Sequence, residues 1–204
     1  NFNINYLTDY SANKVYSGKK NELIILQDNP YVSSNNSRSI YSKAVSLNIY
    51  QTDDVGLQLN IGGRGLDPRR SSNFKVLQNG YDISADPLGY PESYYTPPFE
   101  AIKSIELIRG AASLQYGTQF GGCVNFNFKT PNKNKKIEVL TRNTIGSNNL
   151  YTNFTSFSGT LSEFSYYTFF NHKKGDGFRS NSDFISNNLY SMLTYNPNNK
   201  IKIS

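Results

Sequence analysis

The side chains in this chain that are best suited to binding chemistry are arginines, tyrosines and an amide. Six of them lie in turn-rich or proline-rich stretches: Arg69, Arg70, Tyr90, Tyr94, Tyr95 and Gln119. Guanidinium groups form paired hydrogen bonds with carboxylates, and phenol and amide groups supply further donors. Side chains of these types could bind a carboxylate-rich anion if the fold brings them together. The alternative is that the six residues only decorate surface loops.

Catalytic chemistry is not indicated by the sequence. Asp53 and Asp54 are adjacent, so on a strand their side chains would point in opposite directions. A serine nucleophile would have only the distant His172 as its base, and one histidine excludes a two-histidine metal site. The single Cys123 excludes an internal disulfide and a cysteine-rich metal site. We therefore expect no enzyme, no resident metal and no cofactor.

The composition favours turn-rich β-structure. Only 37% of the 204 residues are hydrophobic, yet 14% are aromatic, with 16 Tyr and 13 Phe. The net charge is +6, but most basic residues are scattered, so no nucleic-acid partner is predicted. A solvated basic surface and attraction of an anionic ligand both explain this charge. No apolar run of about 18 residues occurs, so no transmembrane helix is predicted.

Short apolar runs between turn signals predict strands over the first two-thirds of the chain. These strands are Leu23–Gln27, Leu47–Gln51, Leu57–Ile61, Phe74–Gln78, Tyr81–Ile83, Ile105–Arg109 and Gly121–Lys129. Asn79-Gly80 is a strong hairpin signal between two of them. Helical segments are predicted over Asn36–Ala44 with Ser37 as N-cap, over Glu100–Ser104, and over Ala111–Tyr116 with Gly117 as C-terminal cap. Between them, Ala85–Pro98 is predicted to be a long ordered loop.

Four short motifs occur in a fixed order in this region. They are Arg64-Gly65, Val76-Leu77-Gln78-Asn79-Gly80, Ile105-Glu106-Leu107-Ile108-Arg109-Gly110, and Tyr116-Gly117 with Gly121-Gly122. In this order and spacing they resemble the plug domain of TonB-dependent outer-membrane receptors, and most of all the ferric-citrate receptor branch. The resemblance covers roughly residues 20 to 132. It implies an α+β plug, which is a small mixed sheet with short helices. Val45-Ser46 depart from the family, which usually has Pro-Gly there.

The last third of the chain has a different pattern, with segments of weak alternation and aromatic ends. Strands are predicted at 137–142, Leu150–Phe157, Ser165–Asn171, Leu189–Tyr195 and from Ile201, with turns at Ser158–Ser162 and Asn196–Asn199 and a long loop at His172–Ser186. This pattern is typical of the first antiparallel strands of a transmembrane β-barrel. Because plugged transporters need about 22 strands, we expect an incomplete chain.

The resemblance also implies an organisation and a function. It divides the chain into a leader segment (1–22), a plug domain (23–132) and the first four to five strands of a truncated barrel (133–204). It implies a receptor in the outer membrane of a Gram-negative bacterium. This receptor would import a ferric chelate, ferric citrate or another iron-siderophore, with the plug gating the barrel lumen. The implied partners are TonB, the iron(III) chelate and outer-membrane lipid. A receptor for cobalamin or a glycan, or a non-transporting adhesin or signalling receptor on the same scaffold, is the alternative.

Residue roles follow from the same resemblance. Arg64 and Arg109 would pair with barrel carboxylates and lock the plug in the lumen, the alternative being solvated arginines. The six residues of the anion site would contact the chelate. The leader is predicted to be extended or mobile and would carry the box that pairs with TonB as an added strand, for which Asn3–Leu7 has a suitable alternation.

Overall fold

A computed structural model describes residues 4–11, 14–17, 21–26, 32, 36–42, 44–45, 47–53, 55–85, 90–117, 119–198 and 201–203. It divides the chain into two compact units, residues 1–128 and 129–204. The strands of the first unit are β1 (Ile4–Tyr6), β2 (Tyr10–Ser11), β3 (Lys14–Val15), β4 (Glu22–Ile25), β5 (Leu47–Ile49), β6 (Ile61–Gly63), β7 (Phe74–Gln78), β8 (Tyr81–Asp82), β9 (Ile102–Ile108) and β10 (Gly122–Phe128). Those of the second unit are β11 (Glu138–Ile145), β12 (Tyr151–Leu161), β13 (Phe164–Gly175), β14 (Phe184–Asn198) and β15 (Ile201–Ile203). A short helix α1 (Ser37–Tyr41) and 3₁₀ turns at Arg69–Ser71, Phe99–Ala101 and Gly110–Tyr116 complete the first unit.

The main sheet of the first unit is mixed and has the order β1-β4-β9-β10-β7-β8. Its central strand β10 runs parallel to β7 and antiparallel to β9. Almost all side chains of β10 are buried, including Val124 and Phe126, so both faces of the sheet are covered along this strand. The polar Asn125 in this strand is also buried, and its amide nitrogen donates to Glu106 Oε2 at 2.9 Å. The predicted plug architecture of a small mixed sheet with short helices is confirmed.

The hairpin predicted at Asn79-Gly80 is confirmed. Both residues have positive φ, 50° and 85°, as a two-residue turn of this kind requires. The turn is also fixed to the central strand, because Asn79 Oδ1 accepts the backbone N–H of Phe128 at 2.9 Å. The backbone N–H of Gly80 donates to Asn125 Oδ1 at the same distance.

Several local predictions for the first unit are wrong. The strand expected over Leu57–Ile61 begins only at Ile61, because the carboxylate of Asp53 accepts the backbone N–H groups of Val55, Leu57 and Gln58. These bonds offer the backbone an alternative to a strand ladder. They also give Asp53 a structural role.

The helix α1 is capped by Asn36 and not by Ser37, since Asn36 Oδ1 accepts the N–H of Ser39 at 3.0 Å. The helix ends earlier than predicted, at Tyr41. The predicted helical turn at Glu100–Ser104 is displaced to Phe99–Ala101, and β9 has already begun at Ile102.

The described residues of the predicted leader, 4–11, 14–17 and 21–22, belong to the first unit and include the short strands β1, β2 and β3. Strand β1 pairs antiparallel with β4 and forms an edge of the main sheet. Tyr16 is only 5% exposed and packs in a cluster with Leu77, Ile108 and Cys123. Its hydroxyl lies 3.0 Å from that of Tyr116, and burial raises the pKa of both phenols, so they meet as neutral groups. Burial also raises the pKa of the Cys123 thiol to about 12, which keeps it uncharged.

The second unit is an antiparallel meander of adjacent strands β11-β12-β13-β14-β15, which is open within the described residues. The strands are longer than predicted. Strand β12 continues through Ser158 to Leu161, so the turn to β13 is only Ser162-Glu163. The loop expected over His172–Ser186 shrinks to residues 176–183, because β13 reaches Gly175 and β14 begins at Phe184. Strand β14 runs through the predicted turn at Asn196 as far as Asn198, and residues 199–200 lie outside the described part.

The polarity of this sheet is the reverse of that in a water-soluble protein, because its exposed face is apolar and its buried face is rich in polar residues. One face carries large exposed apolar side chains: Phe157, Leu161, Phe164, Phe170, Leu189 and Leu193. The other face carries buried polar residues such as Ser156, Ser158 and Asn171 around the rings of Phe154 and Phe169. Apolar residues outward and polar residues inward is the pattern of outer-membrane barrel strands. The prediction of initial barrel strands is confirmed.

No helix in the described part of the chain is long and apolar enough to cross a membrane.

Removal of the Tyr16 side chain should release the N-terminal segment. Truncation of a large buried side chain costs about 3 kcal/mol, equivalent to roughly a hundredfold in an equilibrium. In Tyr16→Ala we expect the amides of Leu7 and Tyr16, which donate to Asn21 and Asp9, to exchange with solvent much faster. Hydrogen exchange of the intact receptor measures this. Tyr16→Phe keeps the ring and should stay close to wild type, and equal protection in Tyr16→Ala would contradict the anchoring role.

Candidate functional site

The turn that contains Arg69 and Arg70 is stabilised by hydrogen bonds with buried polar groups. The backbone N–H of Arg70 donates to Asn60 Oδ1 at 2.8 Å. Ser71, which is fully buried, donates its hydroxyl to the carbonyl of Leu59 at 3.0 Å and accepts the N–H of Ile61. Arg70 and Ser71 have positive φ, 48° and 50°, a conformation that costs energy for residues with a side chain. The surrounding hydrogen bonds therefore set the direction of the Arg70 backbone.

Gly62, in the glycine-rich stretch before this turn, allows the backbone to fold back on itself. A Cβ atom on Gly62 would lie 2.2 Å from the carbonyl oxygen of Leu66, so only glycine permits the backbone to fold back at this point. Asp67 then stabilises the entry to the turn, because its Oδ1 accepts the N–H of Arg69 at 3.0 Å.

The proline-containing loop is joined directly to the arginine turn. The backbone N–H of Ser93 donates to the carbonyl of Arg70 at 2.8 Å, and the Ser93 side chain is fully buried. The Ser93 hydroxyl donates to the carbonyl of Tyr95 at 3.0 Å. These bonds fix the position of the loop relative to the turn. Glu92 and Tyr94 are the neighbours of Ser93 on either side.

At this junction, Arg70, Glu92 and Tyr94 form an exposed polar cluster. Arg70 Nη1 donates to Glu92 Oε2 at 3.1 Å and to the Tyr94 hydroxyl at 2.9 Å, and the guanidinium also lies 4.8 Å from the centre of the Tyr94 ring. The Tyr94 hydroxyl donates a short hydrogen bond to Glu92 Oε2. The bonds from Tyr94 and Arg70 lower the pKa of Glu92, and the bond to Glu92 raises that of Tyr94. The bond to Glu92 also raises the pKa of Arg70.

The structure therefore brings together two of the six predicted anion-site residues, Arg70 and Tyr94. Sequence reasoning missed Glu92, although its spacing of two residues from Tyr94 in an extended loop puts both side chains on one side. Arg69 is adjacent and exposed.

The other three predicted residues take part in backbone hydrogen bonds. Tyr90 is exposed, and its backbone N–H donates to the carbonyl of Ala85 at 3.3 Å. Tyr95 and Gln119 are half-buried, and the carbonyl of Gln119 accepts the N–H of Gly122 at 3.2 Å. Their predicted role in binding stays a prediction.

The two arginines predicted to lock the plug differ in their surroundings. Arg109 Nη2 lies 3.2 Å from Glu22 Oε2 within the first unit, and the side chains are only 13% and 5% exposed. The backbone N–H of Arg109 also donates to Asn21 Oδ1 at 2.8 Å. Arg64 is exposed and has a positive φ of 57°. Contact of either arginine with a barrel carboxylate stays a prediction.

The fold therefore combines a small mixed-sheet unit with antiparallel strands whose polarity is that of outer-membrane barrels. Residues 26–124 match the family model of the TonB-dependent Receptor Plug Domain. This match identifies the first unit as a plug domain of the TonB-dependent receptor type, a family of the outer membrane of Gram-negative bacteria. This family consists of receptors and transporters and is not a class of enzymes.

Solved structures of such receptors have the same fold. The ferric citrate transporter FecA in its unliganded form matches with a TM-score of 0.69 and 22% identity over 90% of this chain. The siderophore receptor PirA from Acinetobacter baumannii matches with a TM-score of 0.62 and 22% identity over 88% of the chain. FpvA from P. aeruginosa, bound to a heterologous pyoverdine, has a TM-score of 0.67 and 16% identity over 90%. The chain spans 29%, 29% and 24% of the lengths of these three proteins.

Removal of the Glu22 charge should destabilise the first unit around β4 and β9. A buried ion pair that loses one partner leaves an uncompensated charge, at a cost of about 3 kcal/mol. Glu22→Gln retains an acceptor for the N–H of Val45 but not the charge opposite Arg109. We expect faster amide exchange in both strands. Lys135→Gln, which breaks an exposed ion pair with Glu138, is the control and should leave these amides unchanged. Unaltered protection in Glu22→Gln would mean that the pair contributes little.

Proposed function

We propose that this chain forms the plug and the first barrel strands of a TonB-dependent receptor that imports a ferric chelate bearing carboxylates. The observation that carries the proposal is the polar cluster around Arg70, with Arg69 beside it on a turn and Tyr94 on the joined loop. A ferric citrate complex presents carboxylate oxygens that such donors bind. The fold shared with FecA, described as a ferric citrate transporter, and with siderophore receptors supports the same ligand class.

Within this proposal Arg69 and Arg70 have different roles. Arg70 is already engaged by Glu92, and it would orient the loop as well as meet the ligand. The structure shows no acidic partner for the Arg69 guanidinium within the described residues, and its side chain is exposed. We assign to Arg69 the first contact with the anionic chelate. Tyr90, Tyr95 and Gln119 are proposed as further donors around it.

Plug retention and energy coupling are part of the same proposal. Arg64 is the better candidate for a contact with the barrel wall, because Arg109 is held by Glu22 and would first have to leave it. TonB is the proposed energy-coupling partner. Strand β1, which includes most of the Asn3–Leu7 segment, is paired with β4, so it could add to a TonB strand only after separating from β4.

Loss of the Arg69 charge should weaken ligand binding. Hydrogen bonds to charged groups contribute about 1.5 kcal/mol or more, which corresponds to roughly tenfold in affinity. We expect Arg69→Gln in the intact receptor to bind ferric citrate about tenfold more weakly in a titration with radioactive iron. Arg38→Gln removes the same charge from the exposed surface of α1 and is the matched control. Equal affinities in the two variants would argue against a role of Arg69 in binding.

Uptake should depend on TonB, whereas binding should not. In cells that express the receptor, deletion of TonB is expected to abolish accumulation of radioactive iron from ferric citrate, because no energy reaches the plug. Surface binding of the same chelate should persist. Accumulation that continues without TonB would contradict active import, and binding without any accumulation in either strain would indicate an adhesin or signalling receptor.

A further inference from the structure

The carboxylate of Glu92 occupies the position in which Arg70 and Tyr94 would hold a ligand carboxylate. A single oxygen of Glu92, Oε2, accepts from both Arg70 Nη1 and the Tyr94 hydroxyl. These are the cationic and phenolic donors that the proposed anion site requires. Arg70 and Glu92 remain 46% and 30% exposed as side chains, so the cluster is open to solvent.

Backbone hydrogen bonds fix the main chain that carries the Glu92 side chain. The Ser93 N–H donates to the Arg70 carbonyl, and the Glu92 carbonyl accepts the N–H of Ala85 at 2.9 Å. Glu92 and Tyr94 therefore flank an anchored residue, and both side chains are directed to the side of Arg70. The acceptor is intramolecular and is present at a high effective concentration whenever the site is empty.

We propose that Glu92 is an internal competitor that an anionic ligand must displace from Arg70 and Tyr94. The inference rests on the proposed function, and it adds a residue that determines specificity. An exposed ion pair such as Arg70–Glu92 is weak, so a ligand carboxylate can replace Glu92 as the partner of Arg70. A chelate with several carboxylates replaces the lost contact and adds contacts to Arg69, whereas a neutral chelate leaves the guanidinium of Arg70 with Glu92. Glu92 thus weakens binding of anions that make only this one contact, and among anionic ligands it favours polyanionic chelates.

The test is a comparison of ligand affinities in the intact receptor. Glu92→Gln removes the competing charge while keeping the size of the side chain. It should bind ferric citrate about threefold more tightly than wild type, because an exposed pair is of this strength. The affinity for a neutral ferric hydroxamate chelate should not change. Both titrations use radioactive iron at low ionic strength, where exposed charges are least screened.

Two controls separate competition at Arg70 from a general effect of charge. Asp9→Asn changes the net charge equally, at a residue that follows the edge strand β1, and should not alter affinity. In the Arg70→Gln background, addition of Glu92→Gln should bring no gain, because Glu92 acts through Arg70. The thermal unfolding midpoints of all variants should agree, since the cluster is exposed.

The outcomes are distinguishable. Tighter binding of ferric citrate in Glu92→Gln, lost in the Arg70→Gln background, would support the inference. Unchanged or weaker binding in Glu92→Gln, or an equal gain in both backgrounds, would overturn it while the proposed function stands. Failure of wild type and every variant to bind any ferric chelate would overturn the proposed function, and the inference with it.

Discussion

The hydrogen bond between the Arg70 backbone and Asn60 is the contact on which the candidate site depends. Asn60 is 3% exposed, and its amide nitrogen donates to Thr52 Oγ1 at 3.0 Å. The polar atoms that position the turn are thus buried and hydrogen-bonded, whereas the guanidinium-bearing residues Arg69 and Arg70 are exposed. Because a buried polar group that loses its partner is costly, this arrangement is stiff. The turn can hold Arg70 and Ser71 in a strained conformation with positive φ for the same reason.

The two units differ in which side chains they bury and which they expose. In the first, apolar side chains such as Phe74 and Phe126 are fully buried around a central strand, and exposed residues are mainly polar. In the second, apolar side chains such as Leu189 and Leu193 are among the most exposed, and the opposite face buries serine, threonine and asparagine. A sheet of this second kind requires a hydrocarbon solvent on its apolar face. The change of pattern within one chain is therefore itself a sign of a membrane protein with a polar interior.

The N-terminal segment is part of the packing of the plug. Asn21 connects three parts of the first unit, because its amide donates to the carbonyl of Tyr16 at 2.8 Å and its oxygen accepts the N–H of Arg109. Its neighbour Glu22 pairs with the Arg109 side chain. A force applied to the segment would act first on the short pairing of β1 with β4, and then on Tyr16 and this polar cluster.

Sequence by itself determined the class of fold, the order of most strands and the hairpin at Asn79-Gly80. These features depend on local signals: apolar runs between turn residues, residues that accept positive φ, and motif order. It also predicted Arg69, Arg70 and Tyr94 as binding residues from their side-chain chemistry, and their role in binding stays a prediction. It could not assign the helix cap to Asn36 in preference to Ser37, since both residue types cap helices well.

Only the tertiary structure decided which groups meet. Residues Arg70 and Glu92 are 22 positions apart, and their ion pair exists because Ser93 joins two loops through the backbone. The ordered N-terminal segment, the pairing of Arg109 with Glu22 and the turn-forming role of Asp53 are likewise contacts of particular geometry. Such contacts leave no periodicity in the sequence, because a hydrogen bond or an ion pair depends on position in space and not on spacing along the chain.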